Sequence, residues 1–192
     1  MSKDVQNVTA SKPSKNGVVR IAPLGTILPT DAASELDSKF VDMGYVSTDG
    51  IVNKLGNTST GVKAFGGDNV LNLESGITQT VEFGLMESLN PNVLKFVHGS
   101  KNVEGNDIKT GIHVKINNDE KEEYAMVIDL ILRGGVLKRI TAANAKLIEL
   151  GDIVYKDDEP TIYKSTVGFS PDHKGNASDE YFIQPQEANQ QK

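Results

Sequence analysis

Alternation of apolar and polar positions, more than helical spacing, organises this chain. Ile77, Val81, Phe83 and Leu85 fall on one side of a run in which Thr78, Thr80 and Glu82 fall on the other, the period of two that predicts a half-buried strand. Ile108, Thr110, Ile112, Val114 and Ile116 alternate with Lys109, His113, Lys115 and Asn117 and predict another, with Asn117, Asn118 and Asp119 as its turn. The next run, YAMVIDLILR (124–133), is apolar on both faces except at Asp129, so both faces need cover from a partner sheet or another subunit. Arg133, Gly134 and Gly135 turn it into VLKRITAANAKLIEL, a further hairpin closes around 157–160 between GDIVY and TIYKSTVGF, and Tyr181, Phe182 and Ile183 can add a last strand.

Helical spacing is confined to two places. Leu36, Phe40 and Met43 predict a helix over 32–43, capped by Thr30 or Asp31 and stopped by Gly44, and NPNVLKFVHG predicts one of about two turns around Val93 to Val97 between Asn90-Pro91 and Gly99. Between 49 and 76 the pattern weakens and GNTSTG, FGGDN and ESG predict a long loop with at most one edge strand. Strands joined by tight turns at this spacing predict a mainly β, antiparallel sandwich or barrel-like domain with one flanking helix and a second short one. Its expected bounds are 17–170, between a flexible arm (1–16) and a polar tail (171–192).

Length and charge narrow the classes. A chain of 192 residues supports one domain with a real core. Its 26 acidic against 20 basic residues give a net charge of −6, which does not draw a protein to phosphate backbones. The absence of cysteine removes disulfides, thiolate nucleophiles and thiolate metal sites. No apolar signal segment or membrane-length run is present, so synthesis and folding in a cytoplasm are expected.

Candidate chemistry is thin. The 56–63 segment GNTSTGVK has glycines spaced as in a phosphate-binding loop, but Val62 stands where the lysine is needed and no hydroxyl follows Lys63. His98, His113 and His173 lack ligand spacing, and Ser100, His98 and Asp129 make a triad only on paper. Asp152, Asp157, Asp158 and Glu159 read as a solvated hairpin tip, and the glycosylation patterns at Asn7, Asn57 and Asn176 have no meaning without a secretory route. No cofactor, metal or catalytic residue is expected. Asp129 is the one useful break in pattern: a carboxylate in an apolar strand either pairs, with Arg133 or Arg139, or faces a wet channel.

In order, the strand ending in APLGT (22–26), the helix start after Pro29-Thr30-Asp31, GYVSTDG (44–50), FGGDN (65–69), TVEFGLME (80–87), NPNVLKFVHG (90–99) and FSPDHKG (169–175) resemble the major tail tube proteins of long-tailed, siphovirus-like bacteriophages. The resemblance implies a structural virion protein with a β-sandwich fold and no enzymatic activity, made in the host cytoplasm. It implies hexameric rings stacked into a non-contractile tail tube around a tape measure protein, in contact with tail terminator and distal tail proteins. Double-stranded DNA then passes through without sticking, and nothing inserts into a membrane. In that setting Thr78, Thr80, Glu82 and Asp129 are candidates for the lumen face, and Asn57, Thr58, Phe65, Asp68 and Asn69 for the ring-to-ring loop. A carbohydrate- or receptor-binding β-sandwich is the alternative, opposed by the absence of Trp and by only 6% aromatic residues.

Overall fold

A computed structural model describes residues 3–14 and 17–185, with the backbone alone at 6, 57–62 and 69–77. Its strands are β1 (Ser11–Pro13), β2 (Val19–Pro23), β3 (Val41–Asp42), β4 (Val46–Lys63), β5 (Asn69–Leu85), β6 (Val103–Glu104), β7 (His113–Val114), β8 (Glu123–Leu132), β9 (Leu137–Leu150), β10 (Tyr163–Ser170) and β11 (Asp179–Ile183). The one α-helix among the described residues is α1 (Pro91–His98). Nine strands form a single sheet in the order β3-β2-β8-β9-β10-β5-β4, and every pairing is antiparallel. β1 extends the β2 edge along β8, pairing Ser11–Pro13 with residues 130–132, and β11 extends the β10 edge along β9. The mainly β, antiparallel class expected from the alternation is what forms.

The sheet curls until its ends approach. β3 and β4 stand at opposite ends of the strand order, yet only residues 43–45 separate them in the chain. The Met43 N–H donates to the Val19 carbonyl on β2, while the Met86 N–H, just past β5, donates to the Tyr45 carbonyl. Gly44 takes a φ of +77° at this corner, a conformation that favours glycine, and a Cβ there would lie 2.1 Å from the Glu87 carboxyl carbon and push that side chain aside. Glu87 in turn accepts from the Tyr45 N–H and from the Asn90 side-chain amide, tying the corner to the start of α1.

Inside the curl, alternation delivers the core. Val81, Phe83 and Leu85 from β5 meet Met126 and Ile128 from β8, Ile140, Ala142, Ala145 and Leu147 from β9, and Val167 and Phe169 from β10. α1 closes one end with Val93, Leu94, Phe96 and Val97, and its boundaries are those the sequence marks. The Asn90 side chain caps the Asn92 N–H, Pro91 opens the first turn and the Gly99 N–H returns to the Lys95 carbonyl. Phe96 packs on Tyr124 with ring centroids 5.8 Å apart, and His98 meets Tyr163 edge-on at 5.9 Å.

Four expectations are corrected. Residues 32–43 form no helix, because Asp31 Oδ1 accepts from the Ala33 and Ser34 N–H groups and Asp37 Oδ1 accepts from the Lys39 N–H. These local turns compete with helical hydrogen bonding. Residues 49–76 are not a loop but most of the β4–β5 hairpin, with only 64–68 as its turn. The alternating run 108–116 yields only the two-residue β7, since Asp107 Oδ1 takes the Lys109 N–H and Gly111 at φ +96° bends the chain away. β7 therefore pairs with β6, and 117–119 is not a hairpin turn into β8. GDIVY likewise forms no strand, and β9 passes directly into an irregular connection before β10.

Candidate functional site

Two regions gather the residues singled out by sequence. The first is Asp129, 8% exposed on β8. Its cross-strand neighbour is Arg139 on β9, whose Nε and Nη2 donate to the two carboxylate oxygens at 2.7 and 3.1 Å, a bidentate pair. Arg20 Nη1 from β2 adds a third bond at 2.9 Å. Arg139 Nη1 also donates to the carbonyls of Asp31 and Ser34, so this ion cluster pins the 31–38 segment over the sheet. Asp129 thus takes the paired one of its two readings, with Arg139 and also Arg20, a partner the sequence reading missed; Arg133 lies in the β8–β9 turn. The signal for Arg20 was present, since a cation inside the otherwise apolar opening strand needs a counter-charge.

The second region is the long hairpin. β5 pairs with β10 only from Gln79 to Leu85, so from Asn69 to Thr78 its sole partner is β4. This part stands about 30 Å clear of the sheet at 3.3 Å per residue. β4 ends the strand order, so along this 18-residue strand the outer edge has no partner among the described residues. At the base, Gln79 donates to Asn53 and accepts from Ser178, and Asn53 reaches Glu180, which fastens the hairpin to β11. At the tip the Ala64 N–H donates to the Asp68 carbonyl and Phe65 is fully exposed. Asn57 and Thr58 lie on β4 and Asn69 opens β5, but their side chains are outside the described residues.

Thr78, Thr80 and Glu82 share the face of β5 turned away from the core, as their alternation requires. Glu82 pairs with Lys54 across the β4–β5 ladder and neighbours Thr166 on β10. Asp49, Glu149 and Lys164 edge the same shallow hollow. Asp129 is not with them; it lies three strands away beneath the 31–38 segment. The paper triad is also dispersed, since the Ser100 hydroxyl donates to Glu122 and Asp129 is held by its arginines. The phosphate-loop candidate at 56–63 is extended strand, which cannot wrap an anion. Among the described residues no group of three metal-ligating side chains converges, and no helix is long and apolar enough to cross a membrane.

One titrating cluster borders α1. Burial works against the Glu122 carboxylate, but hydrogen bonds from Ser100 and Tyr124 outweigh it and hold its pKa below the usual range. Burial, reinforced by Glu122, pushes the Tyr124 phenol well above its ordinary value, so Tyr124 stays a donor. The pair fixes the rim of an apolar groove of about 480 Å³ between β2 and α1.

The described chain joins a paired interior to a projecting strand pair whose outer edge has no partner among the described residues. The sequence model of the family described as phage tail tube protein matches residues 5–161, and the chain belongs to that family. It is a structural component of the phage virion, not an enzyme. Among curated proteins no relative matches.

Proposed function

We propose that copies of this protein join edge to edge into hexameric rings, and that the rings stack into the tube through which the phage delivers double-stranded DNA. The observation that carries this reading is the open outer edge of β4, an 18-residue strand in a member of a tail tube family. An exposed edge of that length is a pairing template, and closure of six copies into one continuous barrel removes it.

In this arrangement the outward face of β5 lines the lumen through Thr78, Thr80 and Glu82. The Lys54 charge on that face is matched by Glu82, and Asp49 and Glu149 stand beside Lys164 in the same hollow. A lumen face on which carboxylates outnumber cations lets DNA slide, because phosphate neutralisation by Lys and Arg is what makes binding adhesive. Asp129, buried and doubly paired, serves the body of the subunit instead. The projecting hairpin, with Phe65 and Asp68 at its tip, supplies the ring-to-ring contact. A tape measure protein fills the lumen before DNA, with terminator and distal tail proteins at the ends.

Negative-stain electron microscopy over a concentration series tests the reading. Hollow tubes with six-fold end views are expected at high concentration. Monomers at every concentration, including samples seeded with assembled tails, would refute it.

A further inference from the structure

The hairpin tip and the apolar groove lie at opposite ends of the same sheet. One row of cross-strand partners runs Pro23, Tyr124, Ala145, Phe169, Gln79, Leu55. On one side of that row the hairpin departs, from Thr78 toward its turn at 64–68. On the other side stand Leu24, Glu122 and α1, which with Ile21, Phe96 and Tyr124 form the groove.

The two features match in chemistry as well as in place. The tip presents one large apolar side chain, Phe65, fully exposed between Ala64 and two glycines at positive φ, beside the exposed carboxylate of Asp68. The groove is predominantly apolar, floored by aliphatic and aromatic carbon, and Lys39 and Lys95 stand on its wall. Neither lysine is in an ion pair within the described chain; Lys95 Nζ reaches only the neutral Asn106 amide, at 2.5 Å. Two acids also line the groove: Glu122 is already engaged by Ser100 and Tyr124, and Glu123 lies opposite Lys146 across the β8–β9 ladder. An aromatic anchor in an apolar pocket with a charge pair at its rim is how interface hot spots are built.

We infer that the groove is the socket for the hairpin tip of a second copy, Phe65 entering between Leu24, Phe96 and Tyr124 while Asp68 pairs with Lys95 or Lys39. The inference rests on the tube-forming reading above and supplies what that reading leaves open, the acceptor surface for the tip. Because knob and socket are different patches at opposite ends of one subunit, the contact is heterologous, and along the axis of a tube it runs on from layer to layer. Each layer leaves a fresh knob on one side and a fresh socket on the other, which gives the stack a direction.

The chain has no cysteine, so an engineered pair is the only source of a disulfide. D68C protein is mixed with K95C protein, assembled at high concentration under mild oxidation, and compared with D68C mixed with F182C, which sits on β11 at the end away from the socket. The expected result is a disulfide-linked dimer for the first mixture at least ~10 times more abundant than for the second. In parallel, F65A and L24E are expected to raise the critical concentration for tubes at least ~10-fold with far-ultraviolet circular dichroism and melting unchanged for F65A, whose ring touches nothing in the monomer. Wild-type protein that forms no tubes overturns the assembly reading and this inference with it. Wild-type tubes accompanied by normal assembly of F65A and L24E, or by equal crosslinking of the two mixtures, overturn this inference alone and leave the groove to a different occupant.

Discussion

Around Asp129 two guanidinium groups and a carboxylate satisfy one another inside the chain, whereas the β4–β5 hairpin carries a full strand edge that the described chain leaves without a partner. The first region is internally complete. The second contributes little to the fold beyond its base, because an isolated two-stranded ribbon is marginal in water. The contrast teaches that stability and assembly occupy different residues, so a substitution can remove one without the other.

The largest effect on stability is expected at Asp129. Asp129→Ala leaves Arg20 and Arg139 facing each other in a mostly buried site and should cost about 3 to 5 kcal/mol, read as a fall in denaturation midpoint. A midpoint within error of wild type would show that the cluster is not what holds the 31–38 segment to the sheet. Replacing 57–77 by a tight turn is expected to change stability by less than about 1 kcal/mol while abolishing tubes altogether. A variant that fails to fold, or one that still assembles, would erase the distinction between the two regions.

A smaller and pH-dependent effect belongs to His98. Burial, with the nearby Lys121 charge, lowers its pKa in the folded chain, so the unfolded state binds the proton more readily. Stability is then unaffected well above pH 6.5 and falls as the pH drops through the unfolded value toward the folded one. Comparing melting at pH 7.5 and 5.5 should show a decrease in wild type that His98→Gln reduces; equal decreases would assign the loss to other groups. Least of all should follow from Glu82→Gln, since its pair with Lys54 is half exposed and is worth about 0 to 1 kcal/mol. In tubes built from the proposed hexameric rings, however, six unmatched Lys54 charges per ring should slow DNA release, and unchanged release would remove Glu82 from the lumen face.

The same contrast explains what was legible in the sequence. The body was readable wherever one face of an element is buried: the alternation at Val81, Phe83 and Leu85, the two-sided apolar run in β8, and the Asn90-Pro91 start and Gly99 stop of α1. The hairpin was not, because a ribbon that leaves the sheet has no core to impose period two, and its glycines and polar residues read as loop. The error at 32–43 has a different origin. Leu36, Phe40 and Met43 carry helical spacing, but Asp31 and Asp37 capture the amides a helix would need, and Arg139, far away in sequence, takes the carbonyls of Asp31 and Ser34. At 108–116 strict alternation misled, since no neighbouring strand is available beyond β6. For the candidate site, the face of Thr78, Thr80 and Glu82 followed from alternation alone, while the distance of Asp129 from it depends on strand order, which one sequence does not encode locally.

The spacing of strand partners along the chain also sets a schedule during synthesis. β4 and β5 are consecutive and pair as soon as both have left the ribosome, but Pro23 waits for Tyr124, roughly one hundred residues later. At about 5 to 20 residues per second that interval is about 5 to 20 s. The groove needs β2, α1 and Tyr124 together, so each nascent chain displays its hairpin well before it owns a completed groove. On a crowded message, a chain whose Tyr124 has not yet emerged offers the proposed socket to no neighbour's tip, and the order of translation itself delays polymerisation past that point.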